Sequence, residues 1–211
     1  MQSMLYKYNY SKTFIGSENY WINRYDSGRT SGNGSYGKLA EFKAEIINEF
    51  VLQNSIEQVI EYGCGDGNQL KLANYPFYIG FDISFKAILI CKSLFAKNAR
   101  KTFKLMSEYT QEQGDLTLSL DVIYHLVEEQ VFFTYMNRLF DSSKRYVIVY
   151  SSNTEIKLEY QASHVKHRNF SKWVFNVKPE WKLIRHIPNK YPFIGNTKTG
   201  SLADFFVYEK A

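Results

Sequence analysis

The chain has 211 residues, a formal net charge of +5 and a hydrophobic share of 45%, and this length suits one sizeable domain better than two. No stretch approaches the ~20 apolar residues of a membrane-spanning helix, and the polar, aromatic N-terminus does not resemble a signal peptide. We therefore expect a cytoplasmic protein without membrane insertion. The two cysteines, Cys64 and Cys91, match no metal-ligand spacing and are too few for a disulfide framework.

The basic charge leaves two interpretations open. A pI of about 9.0 permits an acidic partner such as nucleic acid or a phosphorylated substrate. Lysine and arginine are scattered, however, with no run of five or more, which favours the interpretation as a solvated basic surface.

The N-terminal part divides into an aromatic segment and a glycine-rich one. Residues 26–37 (DSGRTSGNGSYG) contain four glycines and four serines or threonines, a composition that predicts a mobile loop. We therefore predict an N-terminal lid or substrate segment at residues 1–35 and a main domain at residues 36–211. The alternative is a poorly ordered entry loop.

Strands and helices then alternate along the chain. The predicted helices are 38–52, 85–96 and 128–140, with a helical turn at 68–74 and Ser84 as an N-cap. The predicted strands are 57–64, 77–83, 101–106, 116–124 and 145–152, followed by 181–188 and 203–210. The last two have no helix between them, which favours an antiparallel hairpin. Alternation elsewhere implies parallel pairing, so we predict an α/β fold: a doubly wound, Rossmann-like, seven-stranded mixed sheet with a C-terminal antiparallel hairpin.

A glycine loop follows the first predicted strand. In EYGCGDG, Gly63, Gly65 and Gly67 lie at the carboxyl end of that strand, where ligands bind in such sheets. Asp82 ends the second strand 19 positions after Gly63 (82 − 63), a spacing that suits a carboxylate bound to ribose hydroxyls. The pattern G-x-G-x-G differs from the dinucleotide fingerprint, and Asp66 inside the loop would repel a pyrophosphate. A cationic ligand is favoured.

Three motifs together resemble those of the class I S-adenosylmethionine-dependent methyltransferases. They are EYGCGDG, GFDIS at the second strand and LSLDVIYHL, which is similar to the D-V-x-x-H motif of small-molecule members. The resemblance covers residues 36–210. It implies S-adenosylmethionine as cofactor and S-adenosylhomocysteine as product.

The resemblance also implies positions for the parts of the cofactor. The methionine part would contact Glu61, Gly63, Cys64, Gly65, Leu120 and Asp121. The ribose would bind Asp82, the adenine would pack on Ile83, and its amino group would meet Ser107 or Glu108. Alternatively, Glu61 only caps backbone amides and Asp82 is an ordinary turn carboxylate. We interpret Cys64 as a small loop residue rather than a nucleophile, because no base adjoins it.

Several of the residues predicted to contact the methyl acceptor are histidines. His125, four residues beyond Asp121, is the candidate general base for a hydroxyl acceptor, or else only packs beside the cofactor. The predicted substrate contacts are Tyr20, Arg24, Tyr36, His164, His167 and Arg168. The last three belong to HVKHRNF, which suits a clamp for phosphate or carboxylate; a solvated loop is the alternative. A metal is not expected, since His164 and His167 lack an obvious third ligand.

No DNA partner is expected. The Asn/Asp-Pro-Pro-aromatic motif of amino methylases and the Pro-Cys nucleophile of carbon-5 methylases are both missing. We expect methyl transfer to a small-molecule, sugar or phosphosugar acceptor, at oxygen rather than nitrogen. The sequence resembles bacterial methyltransferases associated with surface-polysaccharide biosynthesis. The alternatives are an RNA or N-directed methyltransferase, an NAD-dependent oxidoreductase and a non-catalytic binding module.

Overall fold

A computed structural model describes residues 14–157 and 161–211; the first thirteen residues of the predicted N-terminal segment lie outside them. The helices are α1 (Ser17–Asp26), α2 (Gly37–Gln53), α3 (Phe85–Leu94), α4 (Glu129–Asp141) and α5 (Phe170–Val177). The strands are β1 (Gln58–Tyr62), β2 (Phe77–Asp82), β3 (Lys101–Leu105), β4 (Gly114–Leu120), β5 (Ser143–Ser151), β6 (Trp181–Ile187) and β7 (Asp204–Lys210). Short 3-10 turns occur at Asn33–Ser35, Gln69–Leu72, Met106–Glu108 and Ile123–His125.

All seven strands belong to one sheet in the order β3-β2-β1-β4-β5-β7-β6. The first five strands pair in parallel, and β7 runs antiparallel between β5 and β6. The predicted fold class is therefore confirmed, including the C-terminal antiparallel hairpin. Because β1 lies between β2 and β4, the direction of winding reverses there, and this reversal opens a crevice beyond the carboxyl ends of these strands.

Both faces of the sheet are covered, as the continuous apolar runs of the central strands require. Along β5, Tyr146, Ile148 and Tyr150 pack in a core formed with α2 and α3. Val147 and Val149 point to the opposite core, formed with α4 and α5. This alternation fixes the register of β5, because a slip of one residue would exchange the two faces.

Strand β4 is shorter than the sequence predicts. Asp121 has a φ of 61°, in the left-handed region, so the extended conformation ends at Leu120. The next residues form the turn that carries His125, instead of the strand predicted to continue to position 124. His125 therefore lies above the sheet edge.

Two helices were not predicted. The aromatic segment 17–26 forms α1, and the residues after HVKHRN form α5, whose N-cap Asn169 accepts a hydrogen bond from the Lys172 amide at 3.2 Å. The predicted N-cap of α3 is confirmed, since Ser84 Oγ accepts from the Ala87 amide at 3.2 Å. None of the helices in the described ranges is both long and apolar enough to cross a bilayer.

Candidate cofactor site and active site

A cavity of about 430 Å³ lies at the carboxyl ends of β1, β2 and β4, where the winding reverses. This volume is within the usual range for small-molecule sites. Gly63 and Gly65 line it after β1, Asp82 and Ile83 after β2, and Leu120 at the end of β4. Helix α1 and the following loop cover the cavity. The glycine loop (residues 63–67), which we call the cofactor loop, and Asp82, the predicted ribose carboxylate, therefore share one cavity.

The backbone of the loop favours glycine at its three glycine positions, 63, 65 and 67. Gly63 and Gly65 have φ values of 86° and 59°, which favour a residue without Cβ. A Cβ at Gly65 would also lie 2.4 Å from the Ser31 hydroxyl oxygen. The loop is tied to β2 because the Gly63 amide donates to the Phe81 carbonyl at 2.7 Å. Its backbone thus forms a fixed cavity wall.

The Asp82 carboxylate is held in place by the backbone. One oxygen accepts from the Gly65 amide at 2.9 Å and the other from the Ser84 amide at 2.8 Å. Each oxygen keeps a second lone pair, so the group can still accept from two hydroxyls. Burial raises the pKa of Asp82 to about 6, against the opposing effect of these amides. At neutral pH it is a buried, oriented anion facing the cavity.

Glu61 lies on β1 at the floor of the cavity. Its carboxylate accepts a hydrogen bond of 2.6 Å from the Tyr78 hydroxyl on the neighbouring strand. Burial raises the pKa of Glu61 to about 7, although Tyr78 and the charge of Lys43 favour the ionised form. Among the described residues, the hydrogen-bond donor to the Glu61 carboxylate is the Tyr78 hydroxyl and not a backbone amide, which favours a role toward the cavity over a capping role.

A buried ion pair lies beside Glu61. Lys43 Nζ of α2 is 2.6 Å from Asp121 Oδ2, and the Tyr124 hydroxyl donates to Asp121 Oδ1 at 2.8 Å. Lys43 and Asp121 both line the cavity. The sequence analysis did not select Lys43; its signal is a charged residue within the apolar face of α2, between Phe42 and Ala44.

Asp66 joins the cofactor loop to the loop that covers the cavity, residues 27–36, which we call the roof segment. Asp66 Oδ2 accepts from the Ser31 amide at 2.9 Å and from the Tyr36 hydroxyl at 2.8 Å. In return, the Asp66 amide donates to Ser31 Oγ at 3.0 Å, and Ser31 Oγ also bonds the Tyr25 hydroxyl at 2.9 Å. The segment predicted as a mobile loop is therefore attached to the cofactor loop.

His125 lines the cavity opposite the cofactor loop. Its Nδ1 is 3.0 Å from the His164 carbonyl oxygen, which only accepts, so Nδ1 carries the proton. Burial lowers the pKa of His125 to about 4, so the ring is neutral at pH 7 and Nε2 has a free lone pair. The Trp21 ring packs edge-on against it at 4.8 Å between centroids.

The predicted substrate cluster is only partly brought together. His164 stacks on Tyr20 at 4.0 Å and on His125 at 5.4 Å between centroids. His167 instead bonds Ser152 Oγ through Nδ1 at 2.7 Å. The His164 and His167 side chains do not line the cavity; His164 contributes to the site by orienting His125.

The Arg168 side chain is held by hydrogen bonds to other residues of the protein. Its guanidinium donates to Glu129 at 2.7 Å and to the carbonyls of Leu126 and Val127 at 2.9 and 2.8 Å. Lys166 pairs with the same Glu129 carboxylate. The cations predicted to clamp an anionic acceptor thus hold the start of α4, outside the cavity lining.

Two more predicted contacts have partners within the protein. Arg24 donates to the Thr30 carbonyl at 2.6 Å and lies over the Trp21 ring, so it supports the roof segment. Glu108 accepts from the Leu105 amide at 2.6 Å, while Ser107, the other adenine candidate, lines the cavity.

Across the described part of the chain, no group of three or more histidine, cysteine, aspartate or glutamate side chains is arranged to hold a metal ion.

No protein-family profile and no curated protein matches the chain. Solved structures do match. The methyltransferase domain of bacterial CtHen1-C has a TM-score of 0.63 and 18% identity over 80% of this chain and 97% of that one. Magnesium protoporphyrin IX methyltransferase (ChlM) from Synechocystis PCC 6803, with bound S-adenosylhomocysteine, has a TM-score of 0.65 and 14% identity. The match covers 92% of this chain and 100% of that one. The N-methyltransferase NodS from Bradyrhizobium japonicum WM9 has a TM-score of 0.62 and 13% identity, over 82% of this chain and 97% of that one.

This chain has the class I methyltransferase fold. The similarity extends over 80 to 92% of this chain and 97 to 100% of each matched chain. The methyltransferase fold therefore agrees with the resemblance that the glycine loop and the fourth-strand motif indicate.

Proposed function

We propose that the protein is an S-adenosylmethionine-dependent methyltransferase that acts on a small-molecule or sugar-like acceptor at a hydroxyl oxygen. The observation that carries this proposal is Asp82, fixed by the amides of Gly65 and Ser84 at the cavity wall. An anion of this kind suits the two hydroxyls of a ribose. The similar ChlM structure, crystallised with S-adenosylhomocysteine, supports the same cofactor.

The described residues fit each part of this cofactor. Asp82 would accept from the ribose, and Ile83, Met106 and Ser107 provide a wall for the adenine beyond β2 and β3. The cofactor loop has no side chain at Gly63 and Gly65, which leaves room for the amino-acid part. When bound, S-adenosylmethionine supplies a methyl group activated by a sulfonium.

The charge of the cavity supports a cationic donor and an uncharged acceptor. The carboxylates that line it are Glu18, Glu61, Asp66, Asp82 and Asp121. The cations that line it are Lys43 and Arg138, and Lys43 is already paired with Asp121. This excess of negative charge favours a sulfonium and disfavours a phosphorylated acceptor. We therefore propose a neutral sugar hydroxyl rather than a phosphosugar.

His125 would orient the acceptor and take its proton. Methylation of a hydroxyl oxygen by bound S-adenosylmethionine would form a new bond at that oxygen and displace its proton, which a residue of this chain must accept. The hydroxyl proton becomes strongly acidic as the new bond forms, so even a weak base can accept it. His125 Nε2 is unprotonated and belongs to a ring held by the His164 carbonyl and Trp21.

Ligand titrations of two aspartate variants test the proposal. Asp115 is a matched control, because its carboxylate also accepts two backbone amides, those of Glu57 and Gln58, but lies at the opposite end of the sheet. We expect Asp82→Asn to weaken S-adenosylmethionine and S-adenosylhomocysteine binding about tenfold or more, and Asp115→Asn to leave it within about twofold. Stabilisation of the wild type by NAD, with none by S-adenosylmethionine, would instead support an oxidoreductase.

A further inference from the structure

Gln69 and Lys43 form a buried polar wall to which the proposed function assigns no contact with a ligand. Gln69 lies in the turn after the cofactor loop, and Lys43 lies on α2. Both side chains line the cavity, with 8% of Gln69 and none of Lys43 exposed. Buried polar groups of this kind need partners, so their free hydrogen-bonding capacity is informative.

The Gln69 side chain has one satisfied end and one unsatisfied end. Its Nε2 donates to the Ala40 carbonyl at 2.9 Å, and because a carbonyl only accepts, the orientation of the amide is fixed. The other end, Oε1, is buried without a hydrogen-bond partner among the described residues. Leaving such an oxygen unpaired is costly, and a ligand in the cavity that Gln69 lines can supply the donor.

Lys43 has the complementary capacity. Its ammonium carries three N–H donors, and its hydrogen bond in the described structure is the one to Asp121 Oδ2 at 2.6 Å. The Tyr150 ring lies 5.2 Å from the ammonium. The remaining donors favour an anionic oxygen that approaches from the cavity.

We propose that Gln69 and Lys43 recognise the α-amino-acid end of the cofactor, Gln69 Oε1 accepting from its ammonium and Lys43 donating to its carboxylate. The nearby carboxylate of Glu61 adds to the attraction for the ammonium. The inference rests on the proposed function and adds a prediction about which ligands the site selects. The site would prefer ligands with an intact amino-acid end over 5′-methylthioadenosine, which keeps the adenosine part and a methylthio group but lacks the amino-acid end.

The roof segment supports this location. A Cβ at Gly34 would lie 2.6 Å from Asp121 Oδ2, so the roof backbone packs directly on the partner of Lys43. Ser31 and Ser35 of the same segment line the cavity. A charged ligand end placed here would be enclosed, which makes matched polar partners necessary.

The test compares two ligands on matched variants by calorimetric titration. We expect Gln69→Leu to weaken S-adenosylhomocysteine binding about tenfold or more and to change 5′-methylthioadenosine binding less than about twofold. Asn48→Ala is the control: Asn48 also joins α2 to the turn of Gln69, through Leu72 and Asn74, but lies outside the cavity lining. It should leave the ratio of the two affinities unchanged.

A second variant separates the two roles. Lys43→Met should lower the affinity for S-adenosylhomocysteine while leaving the affinity for its decarboxylated analogue nearly unchanged. Retained 5′-methylthioadenosine binding shows that each variant is folded. The inference would be overturned if Gln69→Leu weakened S-adenosylhomocysteine and 5′-methylthioadenosine binding equally, or if Lys43→Met weakened S-adenosylhomocysteine and its decarboxylated analogue equally. No loss of S-adenosylhomocysteine affinity in either variant would also overturn it. Failure of the wild type to bind S-adenosylhomocysteine would instead contradict the proposed function.

Discussion

At the residue scale, the proposed role of Asp82 in cofactor binding depends on the electrostatics of the cavity. Its pKa is raised to about 6, chiefly by burial, so the carboxylate is ionised above that pH and protonated below it. Protonation removes acceptor capacity that two ribose hydroxyls would use. Cofactor affinity should therefore depend on pH in a range where free aspartate does not titrate.

We expect the affinity for S-adenosylhomocysteine to fall as the pH decreases below about 6, approaching tenfold per pH unit. Calorimetry between pH 5 and 8 measures this. Glu61, with a pKa raised to about 7, also lines the cavity, so Glu61→Gln is the control and should keep the decrease near pH 6. An affinity that does not change between pH 7 and 5 would argue against ribose binding by Asp82.

His125 gives a second prediction at this scale. Because its pKa is lowered to about 4, the ring stays unprotonated throughout the neutral range. We expect His125→Ala to lower kcat for transfer of tritiated methyl groups to a sugar acceptor about 100-fold or more. S-adenosylhomocysteine affinity should change less than about threefold. The wild-type kcat should not rise between pH 6 and 7; a rise there, or an unchanged kcat in the variant, would contradict the role.

At the scale of elements, α1 and the roof segment form a cover held by hydrogen bonds that the sequence does not reveal. Asp66 binds the Ser31 amide and the Tyr36 hydroxyl, and these contacts join the cover to the cofactor loop. At the other end, Ser17 Oγ donates to Glu128 at 2.5 Å and accepts from the Val127 amide. A bound cofactor must therefore leave past a cover anchored at two points.

We expect Tyr36→Phe to speed dissociation of S-adenosylhomocysteine several-fold, because it removes one anchoring hydrogen bond worth about 1 kcal/mol. Stopped-flow Trp21 fluorescence provides the measurement, since this ring lines the cavity. Tyr191→Phe is the control: Tyr191 packs on Phe42 outside the cavity lining. Equal dissociation rates in the wild type and Tyr36→Phe would show that this anchor does not limit release.

At the scale of the whole molecule, the sequence predicts the framework of the site well. The central strands are buried on both faces, the glycine loop follows β1 directly, and Asp82 is the last residue of β2. These signals are local, so spacing along the chain is enough to predict them. The parallel sheet then brings the strand ends together without any further information.

The rest of the site depends on partners distant in sequence. Lys43 meets Asp121 78 positions away, and Arg168 meets Glu129 39 positions away. From the sequence alone, an arginine beside two histidines is as compatible with a site that binds an anionic acceptor as with an arginine that is paired within the protein. Only the fold shows that Arg168 is bound by a carboxylate and two carbonyls. Charged residues near a motif are therefore ambiguous until their partners are known.

The most direct test of the central claim is a crystal structure of the protein with S-adenosylhomocysteine. We predict that both ribose hydroxyls lie within hydrogen-bonding distance of the Asp82 carboxylate, about 2.6–3.0 Å. The sulfur should face His125. Adenosine bound away from Asp82, or a cavity without ligand at a saturating concentration, would contradict the account.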